Sequence, residues 1–282
     1  SIDNRIGTAL GITGKVKKTR FFVLPGVPKE AKEMFTKIIL PNYFTINKSL
    51  NIYTLKTTGI TESKLYLLLK KNIGVNKDKY KFSFLPHFSG VNIRISAEEK
   101  QKNLKYIVDQ IRLKLGSYVY GDNDDKLEYV TSKKLIDKKL SISIAESCTG
   151  GLLTKKLTDY SGSSKYLIGS IIAYSNDIKK NILRIPLNIL NKKGAVSKEV
   201  ALEMSKNISK DYRSDLGISI TGISGPTGGT KTKPIGLYYI SIKYKDTHFA
   251  KKFIFNVNDR IIHREVAANT ALNMIRLFLD TV

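Results

Sequence analysis

The apolar run Leu140 to Ile144 gives way at once to Ala145-Glu146-Ser147-Cys148-Thr149-Gly150-Gly151, so a strand-forming stretch hands over directly to a turn. Two further strand-like runs, Gly169 to Tyr174 and Leu216 to Ile220, are separated from it and from each other by helix-patterned segments, among them Lys198 to Lys210. Strands alternating with helices imply parallel pairing and a layered α/β/α domain. The carboxyl ends of such strands share one edge of the sheet, which is where an open α/β sheet keeps its chemistry. Ser147, Tyr174 and Thr221 follow the three strands and are expected to converge there. Gly236 to Tyr244 with His248 to Phe255 reads as a hairpin, and Arg260 to Leu279 as a long closing helix.

Two smaller regions precede this domain. Residues 1–48 hold a strand, Phe21 to Leu24, then Pro25-Gly26-Val27-Pro28 and an amphipathic helix from Lys29 to Ile39. This is too little to fold well alone and reads as the end of a larger α/β domain. Residues 49–125 read as a small α+β module: strand Ile52 to Thr57, helix Glu62 to Lys71, strands Tyr80 to Phe84 and Val91 to Ser96, helix Glu98 to Leu115. The polar run Asp122-Asn123-Asp124-Asp125 closes it, and the α/β domain takes residues 126–282.

Each polar group at the sheet edge has two readings. Ser147 is either a nucleophile or, with Thr149, a cap for the helix opening near Gly150. Gly150 and Gly151 let main-chain N–H groups approach a ligand, so Thr149 to Gly151 are candidate oxyanion donors. Lys179 lies in the first turns of a helix capped by Ser175 or Asn176, where the dipole and any burial favour its neutral amine; such a lysine could serve as a base, and an exposed one would be only surface charge. The loop Thr221-Gly222-Ile223-Ser224-Gly225-Pro226-Thr227-Gly228-Gly229 offers main-chain donors to an anion through Gly222 and Gly225, or is a mobile linker. Arg260 and Arg264 share one face at the start of the last helix and suit a phosphate or carboxylate, or surface ion pairs. Ser197 reads as a helix cap.

Composition sets limits on these readings. The chain of 282 residues carries 48 Lys and Arg against 24 Asp and Glu, a formal charge of +24, but its lysines are scattered and accompany no zinc-finger or aromatic RNA-binding pattern. Nucleic acid is therefore not expected as a partner. One cysteine and three histidines leave no multi-cysteine zinc site and no clustered ligand pattern, so neither metal nor other cofactor is expected. No apolar run approaches the ~20 residues of a membrane span, and a cytoplasmic location is expected.

In Ala145 to Gly151, Gly162-Ser163-Ser164, Tyr174-Ser175-Asn176 with Lys179, Gly194-Ala195-Val196-Ser197, Thr221 to Pro226, Lys233-Pro234-Ile235-Gly236 and Asp259-Arg260 with Arg264, the chain resembles the CinA family of competence/damage-inducible proteins. That resemblance implies that the C-terminal domain is a nicotinamide-nucleotide amidase, hydrolysing nicotinamide mononucleotide to nicotinic acid mononucleotide and ammonia without a metal, in pyridine nucleotide salvage. It implies Ser147 as nucleophile, Lys179 as base, Tyr174 and Thr221 as residues that assist or orient, and Arg260 as one that binds substrate or steadies the site. It also implies that residues 1–48 end a molybdopterin-binding-like domain and that the middle module is of KH type, although no Gly-x-x-Gly loop stands there. The chain is expected to form homo-oligomers. The rival functional class is a basic nucleic-acid-binding protein of the competence system without amidase activity.

Overall fold

A computed structural model describes residues 1–44, 50–70, 80–98 and 103–282. Residues 1–50 form the body of one compact unit, and a second takes in Asn51–Ala97 together with the described chain from Asn103 onward.

In the first unit, β1 (Ile12–Val16) and β2 (Thr19–Val23) make an antiparallel hairpin. β1 is not apparent in the sequence, because only Ile12 and Val16 of its five residues are apolar aliphatics and both stay exposed. Pro28 opens α1 (Pro28–Met34), where its missing N–H costs nothing. The helix continues through a π turn at Phe35–Ile39 into α2 (Leu40–Tyr43), and Ile2, Met34 and Ile39 are its buried core. The expected boundary at residues 48 and 49 lies outside the described residues.

The middle module contains β3 (Leu50–Thr57), α3 (Glu62–Lys70), β4 (Lys81–His87), β5 (Gly90–Glu98), α4 (Leu104–Leu115) and β6 (Val119–Asp122). Its sheet runs β4-β5-β3-β6 and packs on the helices through Leu55, Leu65, Ile93, Ile95 and Ile111. Two readings of the sequence are corrected here. Glu98 ends β5 instead of opening the following helix, and the segment read as a terminating turn begins inside β6, which pairs with β3 at Leu55↔Asp122. A four-residue strand containing a glycine carries little propensity of its own, and its partner supplies the hydrogen bonds.

The C-terminal domain runs α5 (Leu127–Asp137), β7 (Ile142–Glu146), α6 (Leu152–Thr158), β8 (Leu167–Ile172), α7 (Asn176–Asn181), α8 (Leu187–Lys193), α9 (Lys198–Tyr212), β9 (Leu216–Gly222), β10 (Leu237–Tyr244), β11 (Thr247–Ile254) and α10 (Arg260–Leu279). The sheet order is β11-β10-β9-β7-β8. β7 pairs in parallel with both β8 and β9, while β10 and β11 add an antiparallel hairpin. Alternation along the strands sends Ile142, Ile144, Ile218 and Ile220 to one face, where they meet α5, α6 and α10 through Leu135, Leu153, Ala267, Ala271 and Leu272. Ala145 faces the other way, toward Val200, Met204 and Ile208 of α9. Burying each of these larger aliphatic side chains stabilises the fold by roughly 1.5–3 kcal/mol. The three-layer arrangement requires α9 to lie close on β9. Gly217 permits this, since a Cβ there would stand 2.0 Å from the carbonyl oxygen of Ser205. Among the described residues no helix is long and apolar enough to cross a membrane.

Candidate active site

Parallel pairing brings the ends of β7, β8 and β9 to one edge, and there the chain places Ser147 against Lys179. Ser147 follows β7 directly and its amide donates to the Ile220 carbonyl at 3.0 Å, which extends the ladder by one residue and sets the hydroxyl at the sheet edge. Lys179 comes from α7, whose N-terminus is capped by the Ser175 hydroxyl accepting from the Ile178 amide at 3.1 Å. Its side chain turns back under the end of β8 and is 1 % exposed. The amine Nζ lies 3.0 Å from Ser147 Oγ, donates to the Ala173 carbonyl at 2.6 Å and lies 3.4 Å from the Tyr174 carbonyl.

Among the described residues no carboxylate partners this amine, so burial dominates and pulls its pKa from the ordinary 10.5 to about 8, the neighbouring Cys148 acting the other way. A neutral amine has two N–H donors and one lone pair. With the donors spent on the Ala173 and Tyr174 carbonyls, the lone pair is left for Ser147 Oγ. That is the arrangement a base needs to receive a hydroxyl proton.

The helix after the serine is terminated by a residue that the sequence reading passed over. Glu146, fully buried as the last residue of β7, folds its carboxylate over the N-terminus of α6 and accepts from the amides of Gly151 (3.1 Å), Leu153 (3.2 Å) and Thr154 (2.8 Å) and from the Thr154 hydroxyl (2.6 Å). The helix therefore starts at Leu152, after Gly150 and Gly151 have both taken left-handed φ values of +59° and +90°. This corrects the expectation that the amides of Gly150 and Gly151 are open to a ligand. The first donates to the Ser147 carbonyl at 3.1 Å and the second belongs to Glu146. The amides of Cys148 and Thr149 face the Cys148 thiol, whose pKa burial pushes up to about 12. These two are the main-chain donors left beside Ser147. The only sequence cue to Glu146 was an acidic residue at an otherwise apolar strand end.

The remaining candidates divide. Arg264 is committed to the turn after Ser147, its Nε and Nη2 donating to the Thr149 carbonyl at 3.2 and 2.7 Å. Thr149 itself is buried, and its hydroxyl lacks any partner. Arg260 donates through Nη1 to the Gly225 carbonyl at 2.6 Å and through Nη2 to the Tyr174 hydroxyl at 2.8 Å, which ties the glycine-rich loop to the end of β8. The Tyr174 ring is 61 % exposed and its hydroxyl makes no contact with Ser147 or Lys179. Thr221 continues the register opposite Ser147, on the α9 side of the sheet, but its hydroxyl donates to the Ala195 carbonyl at 2.9 Å. Gly222 gives way to the Tyr238 ring, 2.2 Å from where its Cβ would be. Ser197 caps α9, accepting from the Val200 amide. A larger cavity, about 610 Å³ and lined by Thr58, His87, Phe253 and Thr270 among others, contains none of these residues.

The CinA C-terminal domain family matches residues 124–279, and the damage-inducible protein CinA KH domain family matches residues 53–121. A CinA-like protein of Thermosipho melanesiensis is 37 % identical over 99 % of this chain and 68 % of its own length. A protein of Clostridium tetani described as a putative competence-damage inducible protein is 39 % identical over 98 % of this chain and 68 % of its own. Among solved structures, a competence/damage-inducible protein of Agrobacterium tumefaciens superposes with a TM-score of 0.52 at 30 % identity, covering 55 % of this chain and 97 % of that one. One from Enterobacter asburiae gives 0.53 at 25 % identity, over 55 % and 99 %. With both domain families matched in order along the chain and a relative 37 % identical over 99 % of it, the chain belongs to the CinA family.

Proposed function

We propose that the C-terminal domain is an amidase that hydrolyses nicotinamide mononucleotide to nicotinic acid mononucleotide and ammonia, with Ser147 as nucleophile and Lys179 as general base and acid. One observation carries this reading: a buried amine with no carboxylate partner, both its donors facing carbonyls, stands 3.0 Å from a serine hydroxyl at the carboxyl edge of a parallel sheet.

In the forward direction Lys179 takes the Ser147 proton as Oγ attacks the carboxamide carbon. The oxygen that becomes negative faces the Cys148 and Thr149 amides. Lys179 then hands its proton to the departing nitrogen, the C–N bond breaks, and ammonia leaves an ester on Ser147. Water, deprotonated by the same amine, adds to that ester, and its collapse restores the serine and releases the acid. The buried setting matters, because at pH 7 an amine at its ordinary 10.5 would be neutral in only about one molecule in 3,000, and one at about 8 in roughly one in ten.

The test is ammonia release from nicotinamide mononucleotide by the full chain and by Ser147→Ala. The wild-type chain is expected to release ammonia, and the variant to be slower by about 10³-fold or more with an unchanged circular dichroism spectrum. Equal rates in the two proteins would remove Ser147 from the mechanism.

A further inference from the structure

The segment Lys233-Pro234-Ile235-Gly236 and the histidine of α10 take no part in the steps above, yet they meet at a cavity beside them. A space of about 300 Å³ lies between the glycine-rich loop and the start of α10, walled by Ser224, Ile235, Asn256, Asn258, Arg260 and His263 among others. His263 is 1 % exposed, and neither Nδ1 nor Nε2 has a hydrogen-bond partner. An orphaned buried polar group costs about 1–3 kcal/mol, and a neutral imidazole always has one N–H to donate and one nitrogen to accept. The ring is nevertheless well fitted. It packs beside Tyr238 with centroids 6.1 Å apart, and a Cβ on Gly236 would come within 2.9 Å of its Cε1, so the glycine makes room for it. A leucine would fill such a place with no polar penalty. An imidazole there is a donor waiting for an acceptor.

Two residues, Arg260 and Tyr174, connect the cavity to Lys179. Arg260 forms part of its wall and also donates to the Tyr174 hydroxyl, while the carbonyl of the same tyrosine lies 3.4 Å from Lys179 Nζ. The polar groups available are a guanidinium, two asparagine amides, a serine hydroxyl shared with Tyr238 at 2.7 Å, and the imidazole. The carboxylate of Asp259 is engaged in capping α10, accepting from the Ile262 amide at 2.8 Å. The cavity therefore carries one cation and, at the helix start, one capped carboxylate beside neutral donors and acceptors, and a phosphorylated sugar fits it with the arginine taking charge and the amides and imidazole taking oxygens.

We propose that this cavity holds the ribose-phosphate arm of the substrate and that His263 donates to one of its oxygens, which deepens the amidase reading and rests on it for the position of the carboxamide. The probe is ribose 5-phosphate, titrated calorimetrically into the full chain, into His263→Leu and into Ile235→Trp, which fills the cavity while keeping the histidine. Binding to the wild-type chain is expected, with affinity at least tenfold lower in both variants. The unliganded melting temperature of His263→Leu is expected to match or exceed wild type, since an unpaired polar group is lost. No binding to the wild-type chain, or equal affinity in all three, overturns the proposal even if ammonia release is intact. Binding that both variants weaken, in a chain that releases no ammonia, upholds the cavity and removes the amidase.

Discussion

Lys179→Met is expected to lower amidase turnover by about 10³-fold or more, because the thioether offers the serine no acceptor of comparable basicity. The same substitution has a second signature, one that reports the burial of the amine. In the folded chain burial holds the amine near pKa 8, against 10.5 ordinarily, so between those values the unfolded chain binds a proton that the native chain does not. Stability therefore rises with pH across that window, by an amount on the order of 3 kcal/mol. Below pH 8 both states are protonated and the native state bears the full penalty of the buried ammonium. In Lys179→Met this upward slope should vanish, and chemical denaturation at pH 7 and pH 10 measures it. A slope that persists in the variant would mean that some other group loses its proton on folding.

Glu146→Ala is expected to destabilise the C-terminal domain by several kcal/mol, on the order of 4, and to lower its melting temperature by about 10 °C. The carboxylate accepts from three amides and a hydroxyl in a fully buried setting, and alanine strands all four donors. Since Glu146 directly precedes Ser147 and its cap fixes the turn through Gly151, turnover should fall as well. Glu146→Gln keeps one acceptor oxygen and should recover part of both losses. A variant with an unaltered melting temperature would show that the helix end finds water or another acceptor.

How far the sequence discloses this arrangement follows from the range of each interaction. β7, β8 and β9 are legible because strand and helix periods alternate locally, and parallel pairing follows from that alternation; the strand shifts of one or two residues are settled only by the ladder, as when Ile142↔Leu216 and Glu146↔Ile220 set β7 against β9. β1 and β6 are illegible because short polar strands depend on partners elsewhere in the chain. At the site, Ser147 and Lys179 stand out by position at strand end and helix start, but whether the lysine is buried rests on how its chain packs beneath the carbonyls of Ala173 and Tyr174. Thr221 misleads for a related reason. It occupies the expected strand end on the same side of the sheet as Ser147, yet its hydroxyl is taken by the Ala195 carbonyl. Glu146 and His263 are invisible to motif reasoning, since their meaning lies in what surrounds them: four donors in one case and no partner in the other.

The central claim is that a neutral, buried Lys179 activates Ser147, and the pH dependence of kcat/KM for nicotinamide mononucleotide reads it directly. The rate should climb tenfold per pH unit at the acid end and level off around a midpoint near 8, where the amine loses its proton. A profile flat from pH 6 to 10, or one that still climbs past pH 10 as an unperturbed lysine would, contradicts the account.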